Sequence, residues 1–187
     1  MTDQELCNIA LDFLPLDSCY LKGCWGQELT QAVYDAKLAQ YPENANYHNE
    51  SWIGTDVYPF DCICFIKGIT SGATPQNRIS YTQLANGPLG DCNNLQFINL
   101  LYDQVPASQA PAGYGLASNT HAALSLGGGL WIDCNFDGLT QNGLRLHMTG
   151  IGNFPYAGKI PGIDYDGLSS EDFWWAVYYI NNVLKIK

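Results

Sequence analysis

An α+β fold is what this sequence predicts. Helical spacing fills its first hundred residues, alternating strand patterns fill the region after Tyr114, and glycine turns connect the latter. A length of 187 residues is that of one domain with a short appendage, and 47% hydrophobic residues can build a core. Charged residues make up only 14% and aromatics 13%, which is a folded composition rather than a disordered one.

The elements follow in order. Thr2-Asp3-Gln4-Glu5 reads as a capping box, with Leu6, Ile9, Ala10 and Phe13 at helical spacing and Pro15 ending the helix. A glycine-containing loop from Cys19 to Gln27 leads to a second helix over about 29–40, closed by Pro42. Residues 41–58 are polar and aromatic without periodicity and read as a long surface loop. Pro59 disfavours helix at Tyr58, and Asp61 is a good N-cap for a short buried helix ending at Gly68 or Gly72. Residues 71–93 are turn-rich, and Leu95, Ile98, Leu101 and Tyr102 suggest one more helix.

Beyond Tyr114 the period becomes two. Two apolar runs, 121–126 and 130–134, flank Gly127-Gly128-Gly129 and predict a hairpin. A further strand covers 143–149, with Leu144, Leu146 and Met148 alternating against Arg145 and His147. Residues 169–187 carry Ser169 or Ser170 as a cap, an acidic first turn and terminal lysines. Phe173, Val177, Ile180 and Leu184 lie on one stripe there, so an amphipathic helix is expected, with an aromatic strand as the alternative. The expected division is a domain over 1–165 and a helical extension over 166–187. That extension either packs on the core or docks a virion protein, a second copy or the cell wall.

Charge narrows the function. Eight basic against 18 acidic residues give a net of −10 with no Lys/Arg cluster, which excludes a nucleic-acid footprint and any electrostatic gain at an anionic surface. No apolar run approaches the roughly 20 residues of a membrane span. The first residues are acidic and lack an apolar run, so no secretory signal is expected. Seven cysteines in such a chain are expected as free thiols, and Cys62-Ile63-Cys64 has no zinc-knuckle spacing.

Three histidines are available: His48 in a polar loop, His147 on a polar strand face, and His121. His121 opens a strand after Ser118-Asn119-Thr120, where a side chain is positioned yet reachable. If the hairpin turn centres on Gly127, Asp133 faces His121; if it centres on Gly128, Asn135 faces it and Asp133 is diagonal. Both arrangements supply the second and third members of a triad. The nucleophile candidate is Cys62, which follows the N-cap Asp61 and opens an apolar helix whose N–H groups and dipole favour thiolate. Cys64, Cys7, Cys92 and Cys134 read as small buried hydrophobes.

These residues carry a resemblance. Asp61-Cys62-x-x-Phe65-Ile66-Lys67 resembles the nucleophile motif of the NlpC/P60 peptidoglycan hydrolases, papain-like cysteine peptidases. His121, the glycine turn and Trp131-Ile132-Asp133 are similar to that family's histidine block, whose third catalytic residue lies 12 positions after its histidine. Tyr20-Leu-Lys-Gly23-Cys-Trp25-Gly26 resembles the loop preceding the nucleophile. With Lys37 and Tyr41-Pro42 it is nearest the phage-lysin branch, and Ile160-Pro-Gly-Ile-Asp-Tyr165 resembles the family's domain end. The family's Ser-Gly after cysteine is Ile63-Cys64 here, a departure that disfavours wall-recycling specificity.

The resemblance implies a papain-like fold with helices first, an antiparallel sheet after, and the nucleophile at the N-terminus of a buried helix. It implies Cys62, His121 and Asp133 as catalytic residues, with Asn135 as the alternative orienting residue. Tyr20, Trp25 and Asp61 would line the substrate cleft, and the Cys62 N–H would serve the oxyanion hole. The implied partner is bacterial peptidoglycan, cleaved in its stem peptide, commonly between γ-D-glutamyl and the diamino acid, with N-acetylmuramoyl-L-alanine amidase or cross-bridge cleavage as alternatives. Neither cofactor nor metal is called for. The implied setting is a phage endolysin or virion-associated lysin, made in the host cytoplasm and reaching the wall after holin-type release or within a particle. Competing readings are a zinc amidase using His121, Cys134 and His147, a non-catalytic phage-particle component, and an interbacterial amidase toxin.

Overall fold

A computed structural model describes residues 1–136 and 142–165. The expected C-terminal helix lies outside the described residues. The chain builds α1 (Asp3–Asp12), β1 (Ser18–Tyr20), α2 (Gln31–Gln40), β2 (Tyr58–Phe60), α3 (Cys62–Thr70), α4 (Tyr81–Ala85) and α5 (Asn94–Leu100). Five strands follow: β3 (Ala112–Ala117), β4 (Ala122–Gly127), β5 (Leu130–Phe136), β6 (Asn142–His147) and β7 (Tyr156–Gly158). They form an antiparallel sheet in the order β6-β5-β4-β3-β7, and β1 pairs with β2 in parallel. The fold is therefore α+β.

Local signals set the helix starts. Thr2 and Glu5 close the expected capping box on α1, and Phe13 serves as its C-cap. Thr30 caps α2 by accepting from Val33 N–H, so α2 begins slightly later than its periodicity suggests. Ser80 and Gln83 form a capping box on α4, an element not expected within the turn-rich stretch. Helix α5 forms where expected but buries Phe97, while Leu95 and Tyr102 are exposed. The expected stripe is split there, with Leu101 buried and Ile98 packed on the core, because burial depends on what packs opposite.

Helix α3 is apolar except for Lys67 and Thr70, and all nine of its residues are buried. Such a helix belongs in a core. It packs against α1 and the even-numbered face of β4 and β5, where Phe13, Phe60, Phe65, Ile66, Leu124 and Ile132 share one cluster. Burying a side chain of this size stabilises by roughly 1.5–3 kcal/mol, so this layer holds α3 against the sheet. The opposite face of the sheet carries Leu116, Ala123, Trp131, Ile151 and Phe154.

The parallel pair β1–β2 was not legible in the sequence, yet it places the cleft residues. Tyr20 pairs with Phe60, two residues before Cys62, and Leu21 N–H donates to Phe60 O at 2.8 Å. The following loop doubles back along β2, where Gly26 N–H donates to Pro59 O and Asp61 N–H to Cys24 O. Gly26 has φ +92°, and a Cβ there would meet the Phe60 ring at 2.6 Å, so only glycine fits this turn.

The segment expected as a surface loop is more structured than that. It holds 3₁₀ turns at Pro42–Tyr47 and Asn49–Trp52, and it buries Asn44 and Asn49. Asn44 accepts from Lys22 N–H and donates to Lys37 O, while Asn49 donates to Tyr20 O at 2.6 Å. Two buried amides thus fasten this segment to the strand that carries Tyr20. Among the described residues no helix is long and apolar enough to cross a membrane.

Candidate active site

Cys62 is the first residue of α3, and Asp61 caps that helix by accepting from Cys64 N–H at 2.6 Å. The second Asp61 oxygen accepts from Gly23 N–H at 2.7 Å. Asp61 also lines the cleft, but both its carboxylate oxygens are engaged by backbone. It ties the Tyr20–Gly26 loop to the helix that presents the nucleophile candidate.

A cleft of about 700 Å³ opens beside Cys62, with Tyr20, Trp25, Lys37, Tyr41, Asn94 and Thr120 on its walls. Trp25 is wedged in place, its indole N–H donating to Ile79 O at 3.0 Å and Lys37 Nζ lying 5.3 Å over its ring. Tyr20 packs edge-on against Tyr47. Burial, then the nearby Cys62 and Asp61, push its phenol well above the ordinary range, so Tyr20 is a neutral hydroxyl. Lys67 is fully buried behind the cleft and holds its far wall, with Nζ bonded to Asp91 at 2.5 Å and to Cys92 O at 3.2 Å.

His121 immediately precedes β4, at the sheet end that meets α3. Its Nε2 bonds Asp133 Oδ2 at 2.5 Å, and the Cys62 sulfur lies near enough to the imidazole to favour its charged form. Asp133 is fully buried on β5. Burial opposes its charge, but hydrogen bonds from His121 and His147 outweigh this and hold the carboxyl below its ordinary range. An ionised carboxylate can only accept, so Nε2 of each imidazole carries a proton and donates. Burial likewise opposes charge on His121, yet the bond to Asp133 and the nearby Cys62 raise it to about 10.

The hairpin register has an unexpected consequence. Leu124 pairs with Ile132 and Ser125 with Trp131, which is the Gly128-centred alternative, with an irregularity before Gly127. Continued to the strand end, that register sets Asn135 opposite His121 and Asp133 on the diagonal. The diagonal residue nevertheless makes the bond. Asn135 accepts instead from the N–H of Phe136 at 2.8 Å. A diagonal Cβ separation of roughly 7–8 Å is within reach of an imidazole and a carboxylate leaning together.

His147 is the residue that sequence reasoning undervalued. On β6 its Nε2 bonds Asp133 Oδ1 at 2.8 Å, and its ring stacks on Trp131 with centroids 3.7 Å apart. The only available signal was its place on the same strand face as Arg145. Asn94 was also missed: its Nδ2 lies 4.0 Å from Cys62 Sγ and its buried Oδ1 has no partner among the described residues. His48 is exposed, at φ 53° between the two 3₁₀ turns. Cys134 faces the other side of β5 and its thiol bonds Phe60 O at 3.4 Å, which separates it from the two imidazoles. Among the described residues no group of three His, Cys, Asp or Glu is arranged to hold a metal.

All seven cysteines are free and buried. Burial lifts Cys7 and Cys19 to about 12 and pushes Cys24, Cys64, Cys92 and Cys134 upward as well, with Asp61 adding to the rise at Cys64. Exposure does not distinguish Cys62, at 4%, from Cys64, at 6%. Surroundings do, since the imidazole faces only the former. Iodoacetamide at near-neutral pH is therefore expected to label Cys62 at least about tenfold faster than Cys64. Peptide mapping checks this, and preferential labelling of Cys64 would refute the assignment.

Stability should carry the signature of His121. Its raised value means its charged form stabilises the fold fully below about pH 6.5 and loses that contribution as pH rises through about 10. Melting temperature should fall over that window more steeply in the wild type than in His121→Ala. Equal slopes would show that the imidazole is not held in its charged form.

Compared with models of known protein families and with curated protein sequences, the chain matches none.

Proposed function

We propose that this chain is a cysteine hydrolase of amide bonds, acting by a Cys62–His121–Asp133 mechanism. The observation that carries this reading is the His121 imidazole bonded to a buried carboxylate and set near Cys62, which opens α3 and lines a cleft. A nucleophile, a base and an orienting group in hydrogen-bond succession are the recurring parts of acyl transfer.

The chemistry follows from the contacts. The Cys62 thiolate attacks an amide carbonyl carbon, and the resulting oxyanion is stabilised by the N–H groups at the α3 N-terminus. His121, charged by the thiol proton, returns that proton to the leaving nitrogen as the C–N bond breaks, leaving a thioester on Cys62. Water then gives a proton to His121 and attacks the thioester. Collapse releases the carboxylic acid and restores the thiolate–imidazolium pair. Asp133 holds the ring and stabilises its charge throughout.

The substrate proposed is the peptide moiety of bacterial peptidoglycan, and the finer fold proposed is the papain-like NlpC/P60 arrangement. Both rest on the order and spacing of the Tyr20–Gly26, Asp61–Lys67 and His121–Asp133 motifs. The particular protein proposed is a phage-type lysin that reaches the wall after release from the host cytoplasm or within a virion. Digestion of purified sacculi followed by muropeptide mass spectrometry tests the activity and identifies the bond. The expected product is a new free amine paired with a new carboxylate in the stem peptide or cross-bridge. Sacculi left intact by protein whose Cys62 alkylates rapidly would remove the wall as substrate while leaving the reacting pair in place.

A further inference from the structure

Asp133 does more than a two-partner orienting residue requires. Its carboxylate sits at the centre of a row, with His121 on Oδ2 and His147 on Oδ1, at 2.5 and 2.8 Å. The first imidazole faces Cys62; the second lies flat on Trp131, with rings 6° from parallel. Trp131 is itself fixed, its indole N–H donating to Thr149 O at 2.9 Å and its ring edge-on to Phe154. Phe154 in turn stacks beside His121 at 6.0 Å.

We infer that His147 is a positioning residue of the reacting site, acting through the second oxygen of Asp133 to hold the carboxylate in the plane that His121 needs. The inference rests on the reading of Cys62 and His121 as a reacting pair and is independent of the substrate. A carboxylate with one bonded oxygen can rotate about its last torsion, whereas one bonded at both oxygens to rings anchored elsewhere cannot. The diagonal placement of Asp133 makes this necessary. Its bond to His121 is not enforced by direct cross-strand pairing, so a second anchor from the neighbouring strand supplies the constraint.

Buried ionised groups also demand partners. If His147 is removed, Oδ1 loses the donor it has in a fully buried position, so the carboxylate rotates, admits water or takes up a proton. Each outcome weakens its support of the His121 cation. The titratable and charged groups around this row are Asp61, Cys62 and Cys64 on the α3 side, Tyr20 on β1, Cys134 on β5 and Arg145, which pairs with Asp133 from β6.

The test needs no substrate. The rate of Cys62 alkylation by iodoacetamide, measured against pH, reports the sulfur–imidazole pair, with its alkaline limb set by loss of the His121 proton. His147→Phe keeps a ring against Trp131 and removes the donor; His147→Gln keeps a donor and removes the ring. The expected result is that the alkaline limb falls by about one pH unit or more in His147→Phe, the scale of one lost hydrogen bond to a charged group. It should recover most of that shift in His147→Gln. A wild-type limb in His147→Phe, with the shift in His147→Gln instead, would show that the ring serves packing alone and would overturn the inference. A profile that His121→Ala leaves unchanged would overturn the reacting pair itself, and the inference with it. A profile sensitive to His121→Ala but identical in both His147 variants would overturn the inference only.

Discussion

Cys62→Ala is expected to abolish hydrolysis, with turnover falling about 10⁴-fold or more and the fold intact. Among the described residues the sulfur alone both lies by an imidazole and opens a buried helix, so no neighbouring described group can replace it. Cys64 lies two positions further along the helix, its thiol lifted by burial and by Asp61. The loss expected on removing a nucleophile that works as a unit with its base is of this order, and it is not additive with removal of the base. Cys62→Ala combined with His121→Ala should therefore be scarcely worse than either alone. The substitution deletes one sulfur from a 4% exposed position beside His121, so a stability loss on the order of 1 kcal/mol is expected, too little to unfold the protein. The measurement is product formation from purified sacculi alongside thermal unfolding. Retained cleavage by folded Cys62→Ala protein would refute the mechanism, and a particle component with no catalysis would show no cleavage in the wild type either.

Asp133→Asn is expected to cost about 10³- to 10⁴-fold in turnover, the scale seen when a triad carboxylate is replaced by its amide. Two rings donate to this side chain, and an amide offers one acceptor atom in place of two. One imidazole must therefore lose its partner or turn over. The negative charge is lost as well, so burial, which already disfavours a charged His121, is no longer outweighed from that side. The alkaline limb of the Cys62 reaction should then move down along with the rate. Asn135→Ala is the matched control, expected to change turnover by less than about threefold, since its side chain bonds its own neighbour's N–H. Full activity in Asp133→Ala with loss in Asn135→Ala would place the orienting role on the facing residue and refute the diagonal bond as functional.

Much of the local structure was legible because it depends on short-range hydrogen bonds. Thr2 with Glu5 and Asp61 with Cys64 N–H are contacts across three residues, so the residue types in those windows determine them. The hairpin flanking Gly127-Gly128-Gly129 was legible from its glycine turn, while the 12-residue interval from His121 to Asp133 came from the family resemblance. Even there the sequence admitted two registers, and neither by itself named the bonded partner. Cross-strand facing suggested Asn135 for the register that forms, whereas the bond goes to Asp133.

Only the tertiary structure decided the remainder. Pairing of β1 with β2 sets Tyr20 beside the residue that leads to Cys62, and no local signal marks a parallel contact between segments about 40 residues apart. Asn44 and Asn49 became buried fasteners in what composition described as a polar loop. His147 looked like one more polar residue on an alternating strand until β6 lay against β5 and brought its Nε2 to Asp133. The sequence by itself determined which residues could react, because chemistry resides in side-chain type and in the cap that presents it. Packing determined which of them meet, because a bond between distant segments depends on register, diagonal reach and burial, and none of these is set within a few residues of chain.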